Sequence, residues 1–142
     1  MAAGDLTLTV SLSGTLSGGD TIRTFSESKV SSSIADYFDR IIQVPTSLIT
    51  VLEVGATVAG ATLSTLRGLI VYNMDATNYV RLGFLAANGA SYIDILAGEI
   101  YVTPSDQLEA FSAATAFSAF ETITTVNLIA NSAAVRCQVV AW

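Results

Sequence analysis

The residues with chemistry to offer are few. Asp36 and Asp39 in "ADYFDR" are the closest acidic pair, and paired carboxylates facing one substrate are what glycoside hydrolysis requires. On an extended strand their odd separation turns them to opposite faces, so joint action is not expected, and Arg40 reads as a surface ion partner. Asn73, Asp75 and Asn78 could present oxygens to calcium, but one carboxylate is a poor basis for such a site. The same three side chains suit a turn, bonding nearby backbone. Cys137 is the sole cysteine and the chain has no histidine, so a thiolate nucleophile lacks its usual base and a structural zinc site lacks ligands. In "AVRCQVVAW" it falls in phase with Val135 and Val139 and reads as a small buried hydrophobe. "GATVAGAT", with Gly55 and Gly60, imitates a phosphate loop, yet Ala61 stands where the lysine belongs. No catalytic, metal or cofactor-binding residue is assigned, and a non-enzymatic role is expected. Tyr72, Tyr79, Tyr92, Tyr101 and Trp142 could line a sugar-binding face, since rings stack on apolar sugar faces while hydroxyls bond at the edge. Cross-strand packing and subunit contact account for the same residues more simply.

Composition sets the context for these side chains. At 142 residues the chain is read as one β-sandwich domain over 1–142, long enough to bury a single core without covalent staples. Hydrophobic residues make up 51% and charged residues 13%, about half the usual charged share. A chain this poor in charge either presents Ser, Thr and Asn or hides area against partners. The net charge is −6 and the six basic residues are dispersed, which disfavours nucleic acid as a partner. No run approaches the ~18 apolar residues of a membrane-crossing helix, and "MAAGDLTLTV" lacks a signal-peptide pattern. A soluble protein made in a reducing cytosol is expected.

"DLTLTVSLS" alternates strictly, with Leu6, Leu8, Val10 and Leu12 on one side. "TIRTFSESKV" resumes as a partly exposed strand. "YFDRIIQVPTSLITVLEV" reads as two strands around Pro45, which cannot donate to a central ladder. "LIVYNMDATNYVRLGFL" reads as a hairpin whose second arm turns Val80, Leu82 and Phe84 inward, and "SYIDILAGEIYVTP" as another hairpin around Ala97-Gly98. "SDQLEAFSAATAFSAFE" suits either a short helix near 106–118 or a long ordered loop. "TITTVNLIAN" and "AAVRCQVVAW" close the chain as alternating strands. Eight to ten short strands at this spacing predict an all-β antiparallel sandwich, with a jelly roll as the preferred topology.

Two features bear on contacts. In the last strand Arg136, Gln138, Val140 and Trp142 lie opposite the Val135, Cys137, Val139 row, which leaves Val140 and Trp142 as an apolar pair on the outer side. Phe111, Phe117 and Phe120 sit in a segment with no amphipathic period. These five, Phe111, Phe117, Phe120, Val140 and Trp142, are the candidate interface residues.

"LRGLIVYNMDATNYVRLGF" followed by "SYIDILAGEIYVTP", residues 66 to 104, resembles a pattern in small virion proteins of tailed bacteriophages: a strand ending near Asn, a "DATNYV" turn, then Ala-Gly-Glu and a late proline. The resemblance implies a capsid decoration, or cement, protein that binds the outer surface of a phage head, often as a trimer, against the major capsid protein. It carries no individual binding residue with it. A tail- or fibre-associated protein and a carbohydrate-binding sandwich are the alternatives.

Overall fold

Val135, Cys137, Val139 and Ala141 are buried while Arg136 is exposed and Gln138 and Val140 lie between, the period of two that a strand with one covered face must have. That strand belongs to a computed structural model that describes residues 4–12, 25–34, 36–55, 62–109 and 120–142. The chain divides into two compact units, Met1–Ala35 and Asp36–Trp142.

In the first unit β1 (Gly4–Leu12) and β2 (Phe25–Ile34) form a two-stranded antiparallel sheet. Leu6, Leu8 and Val10 share a side with Ser31, Lys29 and Glu27, while Thr7, Thr9 and Ser11 face the side of Val30, Ser28 and Ser26. Thr9 and Ser28 meet through their hydroxyls at 2.8 Å. The register shifts between Gly4 and Leu6, where Ser33 takes a positive φ of 58° and donates its N–H to Asp5 Oδ1.

The second unit consists of β3 (Phe38–Val44), β4 (Ile49–Val54), β5 (Thr62–Leu63), β6 (Leu69–Asn73), β7 (Val80–Leu85), β8 (Ala90–Ile95), β9 (Ile100–Thr103), β10 (Gln107–Glu109), β11 (Phe120–Thr122), β12 (Thr125–Ala130) and β13 (Val135–Ala141). One sheet has the order β3-β13-β6-β9 and the other β5-β4-β12-β7-β8. All their pairings are antiparallel except that of β5 with β4. Setting aside the two-residue β5, the β10–β11 pair and the first unit, the eight strands nest: first beside last, second beside seventh.

Both sheets bury alternate residues in one core: Val44, Leu69, Val71, Val135, Cys137 and Val139 from one, Leu52, Val80, Leu82, Phe84, Val126 and Leu128 from the other. Phe84 and Tyr101 meet between them, ring centroids 5.9 Å apart. The architecture is an all-β antiparallel sandwich, as the alternation and strand spacing predicted, and the described residues contain no helix.

The expected hairpins are corrected. β6 pairs with β13 and β9 while β7 pairs with β12 and β8, so the 74–79 loop crosses from one sheet to the other. The Ala97-Gly98 turn, with Gly98 at φ 73°, likewise joins β8 to β9 in the opposite sheet, as Asn131-Ser132 joins β12 to β13. Within this stretch the hairpin is β7–β8, closed by the Ala86 N–H donating to Gly89 O at 2.9 Å. Alternating apolar arms around a polar turn satisfy both arrangements. The choice between them is made by which non-local strand each arm meets.

The start of the possible 106–118 helix is also corrected. Gln107–Glu109 is a strand paired with Phe120–Thr122, and residues 110–118 lie outside the described residues.

Candidate functional site

The turn at 73–78 is built from the residues weighed as calcium ligands. Asn73 is fully buried, and its Nδ2 donates toward three carbonyls, Asn78 O at 2.9 Å, Leu96 O at 3.0 Å and Ile95 O at 3.1 Å. Its Oδ1 accepts from Asp75 N. Asp75 Oδ1 in turn accepts the N–H groups of Asn78 and Thr77 at 2.7 and 2.8 Å, and these two bonds hold its carboxyl below the usual range. Ser132 donates to Asn78 Oδ1 and Met74 N to Arg136 O. Among the described residues, every Asp75 hydrogen bond is thus a turn contact. Asn73 goes further, tying the β6–β7 crossing to the β8–β9 crossing. Among the described residues no group of three or more metal-ligating side chains occurs.

Asp36 and Asp39 do not converge. Asp36 accepts from the backbone and hydroxyl of Ser64, and Asp39 from Gln138 Nε2 at 3.1 Å. Cys137 is buried, and burial, with a smaller contribution from the Asp75 charge, pushes its thiol up to about 11. It is protonated and packed, as its phase with Val135 and Val139 implied.

The outward side of the β3-β13-β6-β9 sheet is apolar. Register places Ile41, Gln138, Tyr72 and Ile100 in one row, and Asp39, Val140, Ile70 and Val102 in the next. Ile41 is 51% and Ile100 60% exposed, Val102 is exposed, and Ile70, Tyr72 and Val140 are half-buried. A third row places Gln43 beside Arg136, both exposed, so six of ten outward side chains on these paired strands are apolar and the polar end of the face lies at that row. Charge enters this side with Asp39 on β3 and Arg136 on β13, and at the β3 edge inward-facing Arg40 lies over the Phe38 ring at 5.3 Å, a device that discourages further strand pairing. The β9 edge, Ile100–Thr103, has no charge.

The outward side of the other sheet is polar and aromatic. Thr50, Asn127, Gly83 and Tyr92 form one row, and the next contains Arg81 opposite Asp94. The Arg81 guanidinium meets both Asp94 oxygens, Nε at 2.7 Å and one Nη at 3.0 Å. This contact lowers the Asp94 carboxyl below its ordinary value and raises Arg81. Tyr92 lies against Gly83, where a β-carbon would come within 3.0 Å of its Cε1. Asn127 is buried and its Oδ1 has no hydrogen-bond partner among the described residues. Thr46, Tyr79, Arg81, Ile129, Ala130 and Asn131 line a shallow cavity of about 200 Å³.

Of the five candidate interface residues, Val140 lies within the apolar face and Phe120 is exposed on β11. Phe111 and Phe117 lie outside the described residues. Trp142 is 3% exposed, a departure from the outer position that alternation assigned it. The strand ends at Ala141; Trp142 O then accepts from the N–H groups of Arg67 and Gly68, Trp142 N donates to Gly68 O, and the indole lies on Gly68. Ile41, Ile70, Ile100 and Val102 were not singled out from sequence. Their signal is the adjacent pair Ile41-Ile42 and the unbroken Ile100-Tyr101-Val102, since consecutive apolar residues in a strand make both of its faces apolar.

No family model, curated protein or solved structure matches this chain.

Proposed function

We propose that this chain is a structural virion protein, a decoration protein that binds the outer surface of a tailed-phage head and braces neighbouring major capsid subunits. The observation that carries the reading is the apolar outward face of the β3-β13-β6-β9 sheet, with Ile41, Ile100 and Val102 exposed and Ile70, Tyr72 and Val140 between them. Solvent-facing sheet surfaces ordinarily carry polar residues, and the largest apolar patch of a soluble chain is often functional.

Magnitude favours a lattice partner. Four strands spaced ~4.8 Å apart and two rows deep give a face of roughly 300 Å², well below the ~800 Å² per side of a standard stable interface. One such contact is weak. Copies linked as a homotrimer and meeting a symmetric shell gain occupancy through multiplicity. Shell stabilisation then needs no chemistry, in keeping with a non-enzymatic role without cofactors. The net charge of −6 suits the outside of a shell better than its phosphate-lined interior.

The fold is read as a jelly roll. The nested order, with the first and last of eight strands adjacent and the second beside the seventh, supports that topology, which is common among capsid proteins. Fold alone does not assign a role.

Co-sedimentation of the purified protein with expanded phage heads tests the proposal, with immunogold labelling of whole virions. Saturable binding and label over the head are expected. Label confined to the tail would move the protein to a tail or fibre role, and no association with virions would end the structural reading.

A further inference from the structure

We propose that the outward face of β7, β8 and β12 binds a neutral saccharide chain, on the sheet opposite the apolar face and independently of it. Tyr79 and Arg81 line the shallow cavity together with Ile129 from β12 and Thr46. Arg81 stands opposite Asp94, and the next row contains Gly83 and Tyr92. Same-side residues along a strand are ~6.8 Å apart, so the Arg81–Asp94 pair stands one row from Gly83 and Tyr92, while Tyr79, just before β7, shares the cavity with Arg81. The face therefore presents an aromatic ring, a polar fork and a second aromatic ring.

Each part matches one property of a sugar. A pyranose has an apolar C–H face and a rim of hydroxyls that both donate and accept. Tyr92 is 60% exposed, and because Gly83 beneath has no side chain the ring lies low across the sheet, leaving a flat apolar surface with a hydroxyl at its edge. Arg81 uses Nε and one Nη on Asp94, so among the described residues its other N–H groups remain as donors and the carboxylate keeps acceptor positions. The pair is held planar and is neutral in sum, which suits hydroxyls better than an anion. The overall charge of −6 further disfavours acidic sugars. A cavity of about 200 Å³ is smaller than a typical drug-sized pocket, so a single chain is held weakly and repeated copies supply avidity.

The test is an NMR titration of the isotopically labelled full-length protein with maltohexaose, cellohexaose, mannohexaose and chitohexaose in turn. Saturable shifts are expected with at least one of these, confined to Thr46 and residues 79–94 and 127–131. Tyr79→Ala and Tyr92→Ala should each weaken binding about tenfold, while Tyr72→Ala on the opposite sheet leaves it unchanged. Because Tyr92 also covers Gly83, Asp94→Ala replaces Tyr92→Ala if that variant does not fold. Absence of saturation with all four sugars overturns the proposal, as does binding indifferent to both Tyr79 and its companion variant. Ile41→Lys should leave sugar binding intact, so failure of head binding and failure of this site are distinguishable.

Discussion

Trp142 rests on Gly68: a β-carbon added to the glycine would meet the indole Cε2 at 2.6 Å and Cη2 at 2.8 Å. Backbone bonds between Trp142 and Gly68 run in both directions, so the backbone is pinned and the ring could yield only by rotating about its own side-chain bonds. Gly68→Ala is expected to cost about 1–3 kcal/mol by overpacking. Denaturant unfolding followed by the fluorescence of this single tryptophan would reveal it. An unchanged midpoint would mean that the indole has room to move.

Asn73 predicts an asymmetry between substitutions. Asn73→Ala leaves Ile95 O, Leu96 O and Asn78 O without their shared donor and should destabilise by about 1–3 kcal/mol. Asn73→Asp should be at least as damaging, because a carboxylate offers those carbonyls no donor and brings a buried charge. Equilibrium urea unfolding of both variants decides. An aspartate that is tolerated better than alanine would contradict the assigned bonds.

Cys137 predicts slow thiol chemistry and a basic limb of stability. With its thiol at about 11 in the fold against an ordinary value of 9.0, the folded state keeps its proton where the unfolded state has lost it. Stability should therefore fall as pH rises from about 9 to about 11. Cys137→Ala should flatten that limb. Labelling by a thiol reagent at neutral pH should require unfolding, and rapid labelling of the native protein would refute the burial.

Asp75 predicts the opposite limb. Its carboxyl is lowered by the backbone bonds from Asn78 and Thr77, so its contribution is present above the model-peptide value of 3.8 and is lost as pH falls through the depressed folded value. Thermal unfolding from pH 6 to pH 2 should show a shallower acid decline in Asp75→Ala than in the parent chain. Identical slopes would remove the turn carboxylate from the acid response.

The apolar face predicts a separation of stability from association. Ile41→Lys and Ile100→Lys replace exposed side chains, so each should change unfolding free energy by within about 0.5 kcal/mol. Together they should abolish head binding, read by co-sedimentation. Unaltered association would exclude this face as the contact.

Much of the sandwich is legible along the chain because side-chain alternation is a local property of an extended backbone. Val80, Leu82 and Phe84 face inward as their spacing implied, as do Val135, Cys137 and Val139, and Pro45 separates two strands where it cannot donate. The candidate faces were less legible. Arg81 and Asp94 are thirteen positions apart in the sequence and stand opposite each other through the β7–β8 pairing, whereas Ile41 and Ile100 are brought into one row by β13 and β6.

The amino-acid order by itself determined that this would be an all-β protein with little charge, no histidine and a buried thiol, because composition and a period of two need no knowledge of partners. Only tertiary structure decided that the arms around 74–79 belong to different sheets, that Asn73 bridges two crossings, and that Trp142 turns inward onto Gly68. Each of those outcomes depends on contacts between residues distant in sequence, and alternating strands with polar turns are compatible with several such pairings until packing selects one.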